Sequence, residues 1–321
     1  MFRYLIRRLI WAVVLFVVIT LVTFVIFFII PVDPAKQACG QRATETCIKL
    51  ATKEFGLDKP LLQQYLLFME RLVIHQDLGR SYVTRQPVNE TVLKAAPVTA
   101  SLVLGGAILW MLIALPVGIL SALRPRSLLD RFSMVAVLIG ISAHPVWIGL
   151  ILSYLIGYKL GWTPITGYAD FFNPATGEGG PVQWFHHMIL PWTTFMILFC
   201  ALYVRMIRAN VMEASGEDYV RTARAKGAPE HQVLRSHILR NAMLPVVTML
   251  GMDIGAALGG AIFTETVFSL PGLGNEAILS ITQFDLPVTQ GIVIFGTLSI
   301  IIFNLAVDLL YAAIDPRIRL S

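Results

Sequence analysis

The sequence predicts an all-α polytopic membrane protein with about six transmembrane helices and a small extracytoplasmic subdomain between the first helix and the second. Three observations predict this class. Of the 321 residues, 56% are hydrophobic and only 14% are charged, whereas a soluble globular chain carries about 25% charged residues. The mean hydropathy is +0.71. Long uncharged stretches recur along the chain and match a membrane-spanning helix of about 20 residues.

The first predicted span covers residues 9–30, which are uncharged and strongly apolar and follow Arg3, Arg7 and Arg8. No small-residue cleavage site follows it, so we expect an uncleaved first helix rather than a removed signal peptide.

Five further spans are predicted by the same rule. They cover residues 97–123, 132–158, 186–208, 242–264 and 287–309. Within residues 186–208 only Met188–Val204 is uncharged, which is near the short limit for a span. A half-buried helix is therefore the alternative for that segment.

Basic residues are distributed asymmetrically among the connections and predict the orientation. Lys159 is the one lysine or arginine in residues 159–185, and residues 241–316 contain neither type. The other connections and the C-terminus carry Arg124, Arg126, Arg131, Arg205, Arg208, Arg221, Arg224, Lys226, Arg235, Arg240, Arg317 and Arg319. Because positive residues stay on the cytoplasmic side, we expect both termini and residues 209–241 in the cytoplasm.

Residues 31–96 are expected to form the extracytoplasmic subdomain. Apolar residues recur at near-helical spacing over 57–72, which predicts a helix capped by Asp58 with Pro60 close to its first turn. The following segment DLGRSYVTRQPV, 77–88, is rich in turn formers and resembles a short strand. The predicted division is therefore an N-terminal unit with the first helix (1–30), this subdomain (31–96) and a core transmembrane unit (97–321).

Cys39 and Cys47 lie at the start of this outer region, eight residues apart. A disulfide between them would be favoured by an oxidising compartment and would contribute about 2–3 kcal/mol. Two free thiols are the alternative.

A basic helix–turn–helix segment is predicted at 217–241. Residues 217–226 suit a helix, Gly227 suits the position just after it, and Pro229 suits the start of a second helix over 229–241. Ala223 and Gly227 are four apart, so we expect them on one face that another backbone could approach. Docking into a partner's groove and attraction to anionic lipid, worth about 1 kcal/mol per basic residue, both fit this composition.

The segment DYVRTARAKGAPEHQVLRSHILRNAMLPVVTMLG resembles the cytoplasmic loop of ABC-importer permeases. The specific likeness is to the B-type subunit of the dipeptide/oligopeptide/nickel uptake family. Further stretches share it along nearly the whole chain: MFRYLIRRL, FGLDKPLLQQY, DLGRSY, GGAIFTETVFSLPGLG and NLAVDLLYAAIDPRIR.

The resemblance implies a pore-forming, multi-pass subunit of a bacterial inner membrane that couples to separate ATPases. The coupling residues it implies are Arg221, Thr222, Ala223, Arg224, Ala225, Lys226, Gly227, Ala228, Pro229 and Glu230. The implied partners are a second, C-type permease, two ABC ATPase subunits, an extracytoplasmic solute-binding protein and membrane lipid. ATP and Mg²⁺ would be bound by the ATPases, and no cofactor by this chain.

The loop departs from the wider importer pattern of Glu-Ala-Ala, three residues, Gly, nine residues and Ile-x-Leu-Pro. Aligned on Gly227, only Ala223, Gly227 and Leu239 match. We interpret the difference as a subfamily variant, which leaves open which residue replaces the acid of the wider motif.

Several other motifs are given little functional weight. GLGNEA, 272–277, matches a dinucleotide fingerprint but lacks the preceding buried strand that such a site needs, so a turn opening a short helix over 273–283 is expected instead. The chain contains no G-x-x-x-x-G-K-[ST] loop, and therefore no ATP site of its own is expected, and no enzymatic activity. No metal site and no nucleic-acid binding are expected either.

Three residues are candidates for the pore or substrate path: His144, Asp253 and Glu265. An acid within a span is costly in lipid and usually faces a cavity or a partner, and Asp253 could alternatively relay protons. Peptides are the expected substrate, and nickel is the alternative within the same family. An ion-coupled secondary transporter would need inverted repeats, and the two halves of this sequence show no convincing similarity.

Overall fold

The computed structural model describes residues 2–29, 39, 44–54, 59–172 and 179–314. Within these ranges the chain is α-helical, and its extended pairing is one isolated antiparallel bridge between Arg80 and Pro87. The predicted all-α class is confirmed. The helices are α1 Phe2–Ile29, α2 Glu45–Glu54, α3 Leu61–Ile74, α4 Val88–Leu123, α5 Leu128–Ser142, α6 Pro145–Leu152 with a π-helical continuation Ser153–Lys159, α7 Pro181–Gly216, α8 Asp218–Ala225, α9 Glu230–Ala257, α10 Ile262–Phe268, α11 Leu273–Thr282 and α12 Leu286–Ile314.

Five of these helices, α1, α4, α7, α9 and α12, are long and apolar enough to cross a membrane. The pair α5 and α6 provides a sixth crossing if it is counted as one broken span. The prediction of about six spans is therefore confirmed, but one span is bent rather than a continuous helix.

The bent span is the third, which is not the continuous helix expected over 132–158. The two halves are bent by 105° relative to each other. Pro145 opens α6, and His144 caps it by accepting a hydrogen bond at Nδ1 from the Val146 amide, 3.3 Å away. A proline lacks the N–H that a continuing helix needs, so the chain can restart in a new direction here.

Helices α4 and α7 form the centre of the bundle and are longer than predicted. Each has 36 residues and is therefore about 54 Å long, compared with about 30 Å for the hydrocarbon core. Gly105 and Gly106 of α4 leave room for Trp192 and Phe195 of α7, because a Cβ at either glycine would lie within 2.8 Å of the facing ring. Trp192 also donates a hydrogen bond to the Ser101 carbonyl at 2.8 Å. The helix that contains residues 186–208 is thus long and apolar enough to cross a membrane, as the span prediction requires.

Helix α1 lies at the periphery, with most of its described side chains exposed, and α3 packs along its second half. The Tyr65 hydroxyl lies 3.0 Å from Thr20 Oγ1 and donates to the Val17 carbonyl at 3.2 Å. The rings of Phe24 and Tyr65 are 5.5 Å apart. The helix predicted in the outer region is confirmed. Its cap position is held by Pro60; Asp58 lies outside the described residues.

The segment that follows α3 is attached to the start of α12. Ser81 Oγ donates a hydrogen bond to Asp285, and the Tyr82 amide donates to the same carboxylate at 3.0 Å. Burial, together with the negative charge of Asp285, raises the pKa of the Tyr82 phenol to about 12. The segment over residues 77–88 is thus packed onto the bundle rather than suspended as a free linker.

Cys39 and Cys47 are joined by a disulfide in the structure, with Cα atoms 6.1 Å apart. Their oxidation in the cell remains a prediction. We expect mass spectrometry of unreduced, protease-digested protein to recover the two cysteines in one cross-linked species. Recovery of both as alkylated free thiols would contradict the prediction.

Candidate functional site

The basic element, residues 218–230, is anchored to the bundle by its apolar side chains. Val220 is fully buried and Ala223 is 8% exposed, and both join the main core together with Val233 and Ile238 of α9. The Ala228 amide donates a hydrogen bond to the Ala223 carbonyl at 3.2 Å. The exposed part of the element therefore rests on a packed base.

Helix α8 ends at a tight turn around Gly227. The Gly227 amide donates to the Arg224 carbonyl at 2.9 Å, and Gly227 has φ +80°, a left-handed conformation that glycine adopts without steric cost. Pro229 then caps α9. The expectation that Gly227 follows a helix and Pro229 opens the next is confirmed.

The second helix of the basic element does not stop near residue 241 as expected. Helix α9 begins at Glu230 and continues into the fifth span as far as Ala257, with a π-helical stretch over Val233–Leu239. A displacement of the basic element would therefore act directly on a membrane-spanning helix, without an intervening loop.

The surface of the basic element differs from the expected small-residue face. Ala223 points into the bundle, whereas Gly227 lies on the exposed turn, so the two do not share a face. Because the Val220–Ala223 side of α8 is used for anchoring, only the opposite side can meet a partner. The exposed members of the predicted coupling set are Arg221, Thr222, Arg224, Ala225, Lys226, Gly227, Pro229 and Glu230, with Ala228 half-buried.

One ion pair bridges the turn of the basic element. Arg224 Nε lies 2.9 Å from Glu230 Oε1, and a second guanidinium nitrogen lies 3.3 Å from Oε2. Both side chains are largely exposed, so the pair contributes at most about 1 kcal/mol. Its main effect is geometric, because it joins the end of α8 to the first turn of α9.

A buried ion pair, not anticipated from the sequence, lies at the same end of the bundle. Asp130 of α5 is 4% exposed and receives hydrogen bonds from Arg208 of α7 at 2.6 and 3.1 Å and from the Arg126 amide at 2.8 Å. Asp130 and Arg208 are 78 residues apart, so local spacing could not pair them. The contact fixes α5 against α7 near the basic element.

Asp253, the acid in the fifth span, is half-buried and hydrogen-bonded within the bundle. The Tyr203 hydroxyl of α7 donates to its Oδ2 at 2.6 Å, and the fully buried Tyr203 ring lies 5.7 Å from Trp110. The acid therefore has a donor inside the protein, and its place on a substrate path stays a prediction.

His144 lies at the α5–α6 bend, where its ring meets Phe263 of α10 edge to face at 5.2 Å. A substrate-path role for His144 also stays a prediction.

Glu265 is fully buried and engaged in a network at the end of the bundle opposite the basic element. Its carboxylate accepts hydrogen bonds from Thr99 Oγ1 at 2.7 Å, the Gly274 amide at 2.7 Å and the Asn275 amide at 3.0 Å. A carboxylate at a helix N-terminus satisfies orphan amides, so Glu265 caps α11 and ties it to α4. This placement favours a structural role, and its predicted pore role is untested.

The GLGNEA motif forms the turn and helix expected of it. Glycine is required at Gly272 and Gly274, because a Cβ would lie 2.5 Å from the Glu265 side chain at the first and 2.7 Å from the Ile262 backbone at the second. The motif therefore encloses a protein carboxylate.

Two family profiles together match nearly the whole chain. Residues 1–103 match the N-terminal part of the binding-protein-dependent transport system membrane component. Residues 114–320 match the binding-protein-dependent transport system inner membrane component.

Full-length relatives agree with the family profiles. The dipeptide transport system permease protein DppB of Escherichia coli is 39% identical over 99% of both chains. The di/tripeptide permease of Pseudomonas aeruginosa is 38% identical, and the glutathione permease GsiC of Pectobacterium atrosepticum 36% identical, each also over 99% of both chains. The chain therefore belongs to the family of inner-membrane components of binding-protein-dependent transport systems and is a multi-pass permease subunit of an ABC importer.

Proposed function

We propose that this permease forms half of the translocation pore of an ATP-driven importer of short peptides. The names of the three relatives above all refer to small peptides, and their similarity spans the full chain, which supports a peptide rather than nickel. Dependence on a binding protein, a property of the matched family, argues against an ion-coupled secondary transporter.

The observation that carries the coupling mechanism is the continuity between the basic element and α9. The element presents charged side chains outward while Val220 and Ala223 hold it to the bundle. Docked in a cleft of an ATPase subunit, it would transmit ATP-driven movement to the fifth span. Such a movement shifts the pore equilibrium only if the element binds one ATPase arrangement more tightly than another.

The proposed assembly contains this permease, a second C-type permease, two ATPase subunits and an extracytoplasmic binding protein. ATP and Mg²⁺ act on the ATPase subunits, since the sequence has no phosphate-binding loop of the G-x-x-x-x-G-K-[ST] type. This permease contributes binding and positioning rather than hydrolysis.

The proposed orientation places both termini and the basic element in the cytoplasm. In intact spheroplasts, an impermeant thiol reagent is expected to label Val83→Cys, which replaces a half-exposed residue at the opposite end of the bundle. Arg221→Cys should be labelled only after permeabilisation. Labelling of Arg221→Cys in intact spheroplasts would reverse the proposed topology.

The substrate assignment is tested by transport in proteoliposomes. Complex purified with its ATPases should accumulate trialanine when ATP and loaded binding protein are supplied, and should not accumulate Ni²⁺. Uptake of Ni²⁺ alone would refute the peptide assignment. Uptake driven by an imposed ion gradient without ATP would indicate a secondary transporter.

A further inference from the structure

A cleft of about 830 Å³ opens at the end of the bundle opposite the basic element. Its size falls in the range of about 300–1,000 Å³ that small-molecule sites occupy. Its walls come from the start of α4, the segment after α3, the α6–α7 connection and α11. The polar and charged residues among its lining are Ser81, Thr84, Gln86, Thr91, Lys94, Tyr168, Asp170, Glu276, Ser280, Gln283 and Asp285.

The cleft is acidic although the chain as a whole is basic. Three carboxylates and one ammonium group line it. Asp285 is already hydrogen-bonded to the segment after α3. Lys94 lines the cleft, and its Nζ lies 3.5 Å from a carboxylate oxygen of Glu90, which is not part of the lining. Acidic side chains therefore outnumber basic ones in the described lining, and a cation is the charged group that the cleft suits.

Asp170 and Asp285 each accept hydrogen bonds within the protein, and Glu276 is the third acid of the lining. It lies on the first turn of α11, is half-buried, and makes no side-chain hydrogen bond or ion pair with any residue that the structure describes. Burial raises the pKa of its carboxyl group, because desolvation disfavours an unpaired charge. A cationic ligand in the cleft would supply the missing partner.

We propose that this outer cleft receives the peptide on its way into the pore and that the Glu276 carboxylate binds the peptide's N-terminal ammonium group. The inference rests on the proposed peptide substrate and deepens it, since it assigns the end of the peptide that the permease recognises. Hydroxyl and amide groups of Thr84, Gln86 and Thr91 line the same cavity and can hydrogen-bond a peptide backbone of any sequence.

A metal ion is a poorer occupant of this cleft. Nickel favours imidazole and other nitrogen ligands, and no histidine or cysteine belongs to the lining. Within the part of the chain that the structure describes, no group of three or more His, Cys, Asp or Glu side chains could hold a metal ion.

The test uses a thiol reporter in the assembled complex. Leu279 lines the cleft and is 43% exposed, and at three residues from Glu276 it is a neighbour on the same helix face. Leu279→Cys, in a Cys200→Ala background, is treated with an uncharged maleimide in the presence of increasing trialanine. N-acetyl-trialanine serves as the matched probe without an ammonium group.

We expect trialanine to slow labelling and N-acetyl-trialanine to protect much less. Glu276→Gln should raise the trialanine concentration for half-protection about tenfold, because the neutral amide cannot make the charge-assisted hydrogen bond to the ammonium group. Glu276→Asp should recover part of this loss. Glu70→Gln removes an exposed acid of α3 outside the lining and should leave the protection curve unchanged.

Each contrary result overturns the inference. Equal protection by both probes, or no effect of Glu276→Gln, would remove Glu276 as the ammonium site. No protection by free trialanine, with protection by loaded binding protein instead, would make the cleft a protein-docking surface. If any of these results accompanies normal trialanine uptake in proteoliposomes, only this inference fails. Absence of uptake by the wild-type complex would instead refute the peptide function itself.

Discussion

The Gly227→Leu permease is expected to assemble with its partners but to lose most of its ATP-driven uptake. Gly227 has φ +80°, and a left-handed conformation costs a residue with a Cβ about 1–2 kcal/mol. The described part of the chain leaves open space there, because no heavy atom lies within 4 Å of the point where a Cβ would stand. A leucine would therefore protrude from the exposed turn, into the surface that is proposed to dock.

Gly227→Ala and Gly227→Asn distinguish the effect of backbone strain from the effect of a bulky side chain that blocks docking. Asparagine tolerates the left-handed region and should retain most activity, whereas alanine should show the strain alone. Overpacking an interface by a bulky side chain costs about 1–3 kcal/mol, and 1.4 kcal/mol is tenfold. Uptake should therefore fall about tenfold or more with leucine and much less with alanine or asparagine.

The measurements are peptide uptake and the ATPase activity stimulated by loaded binding protein, both normalised to assembled complex. If Gly227→Leu leaves assembly, stimulated ATPase and uptake at the wild-type level, the coupling role is wrong. The basic residues of the element would then serve only to hold it at the membrane surface.

The second large effect is expected at Glu265, where alanine should strongly destabilise the permease. The substitution removes the acceptor for the Thr99 hydroxyl and for the Gly274 and Asn275 amides. Each buried donor left unsatisfied costs about 1–3 kcal/mol, so the total exceeds about 3 kcal/mol. A loss of this size should lower the thermal unfolding midpoint of the purified complex by about 5 °C or more.

Glu276→Ala is the matched control for stability. It removes a glutamate from the same region that has no such network, so its unfolding midpoint should stay near the wild-type value. Glu265→Gln keeps the shape but turns one acceptor into a donor, and an intermediate midpoint is expected. Equal midpoints for Glu265→Ala and the wild type would show that the network does not hold α11 in place.

The membrane class, the approximate spans and the turn of the basic element at Gly227 could all be predicted from the amino-acid sequence. Apolar runs of about 20 residues have few stable alternatives to a spanning helix, because backbone groups in lipid must be satisfied internally. Gly227 and Pro229 act through their own backbone restrictions, so the turn between α8 and α9 could be predicted without any knowledge of the neighbours. The family resemblance could also be recognised from the sequence, because the motifs that carry it are continuous stretches of the chain.

How these elements use their side chains became known only from the folded structure. Ala223 faces inward because Val220 and Ala223 share the side of α8 that packs on the bundle, and spacing alone cannot tell an anchoring face from a docking face. Proline permits a break at residue 145, but the 105° angle depends on what the second half of the span packs against.

The long-range polar contacts were the least accessible to sequence reasoning. Glu265 is held by Thr99, 166 residues away, and Asp285 by Ser81, 204 residues away. Whether a carboxylate caps a helix, pairs with a cation or stays free in a cleft depends on which donors the fold brings to it. That is why Glu265 and Glu276, only 11 residues apart, look alike in the sequence, while in the structure the first is enclosed by donors and the second faces an open cavity.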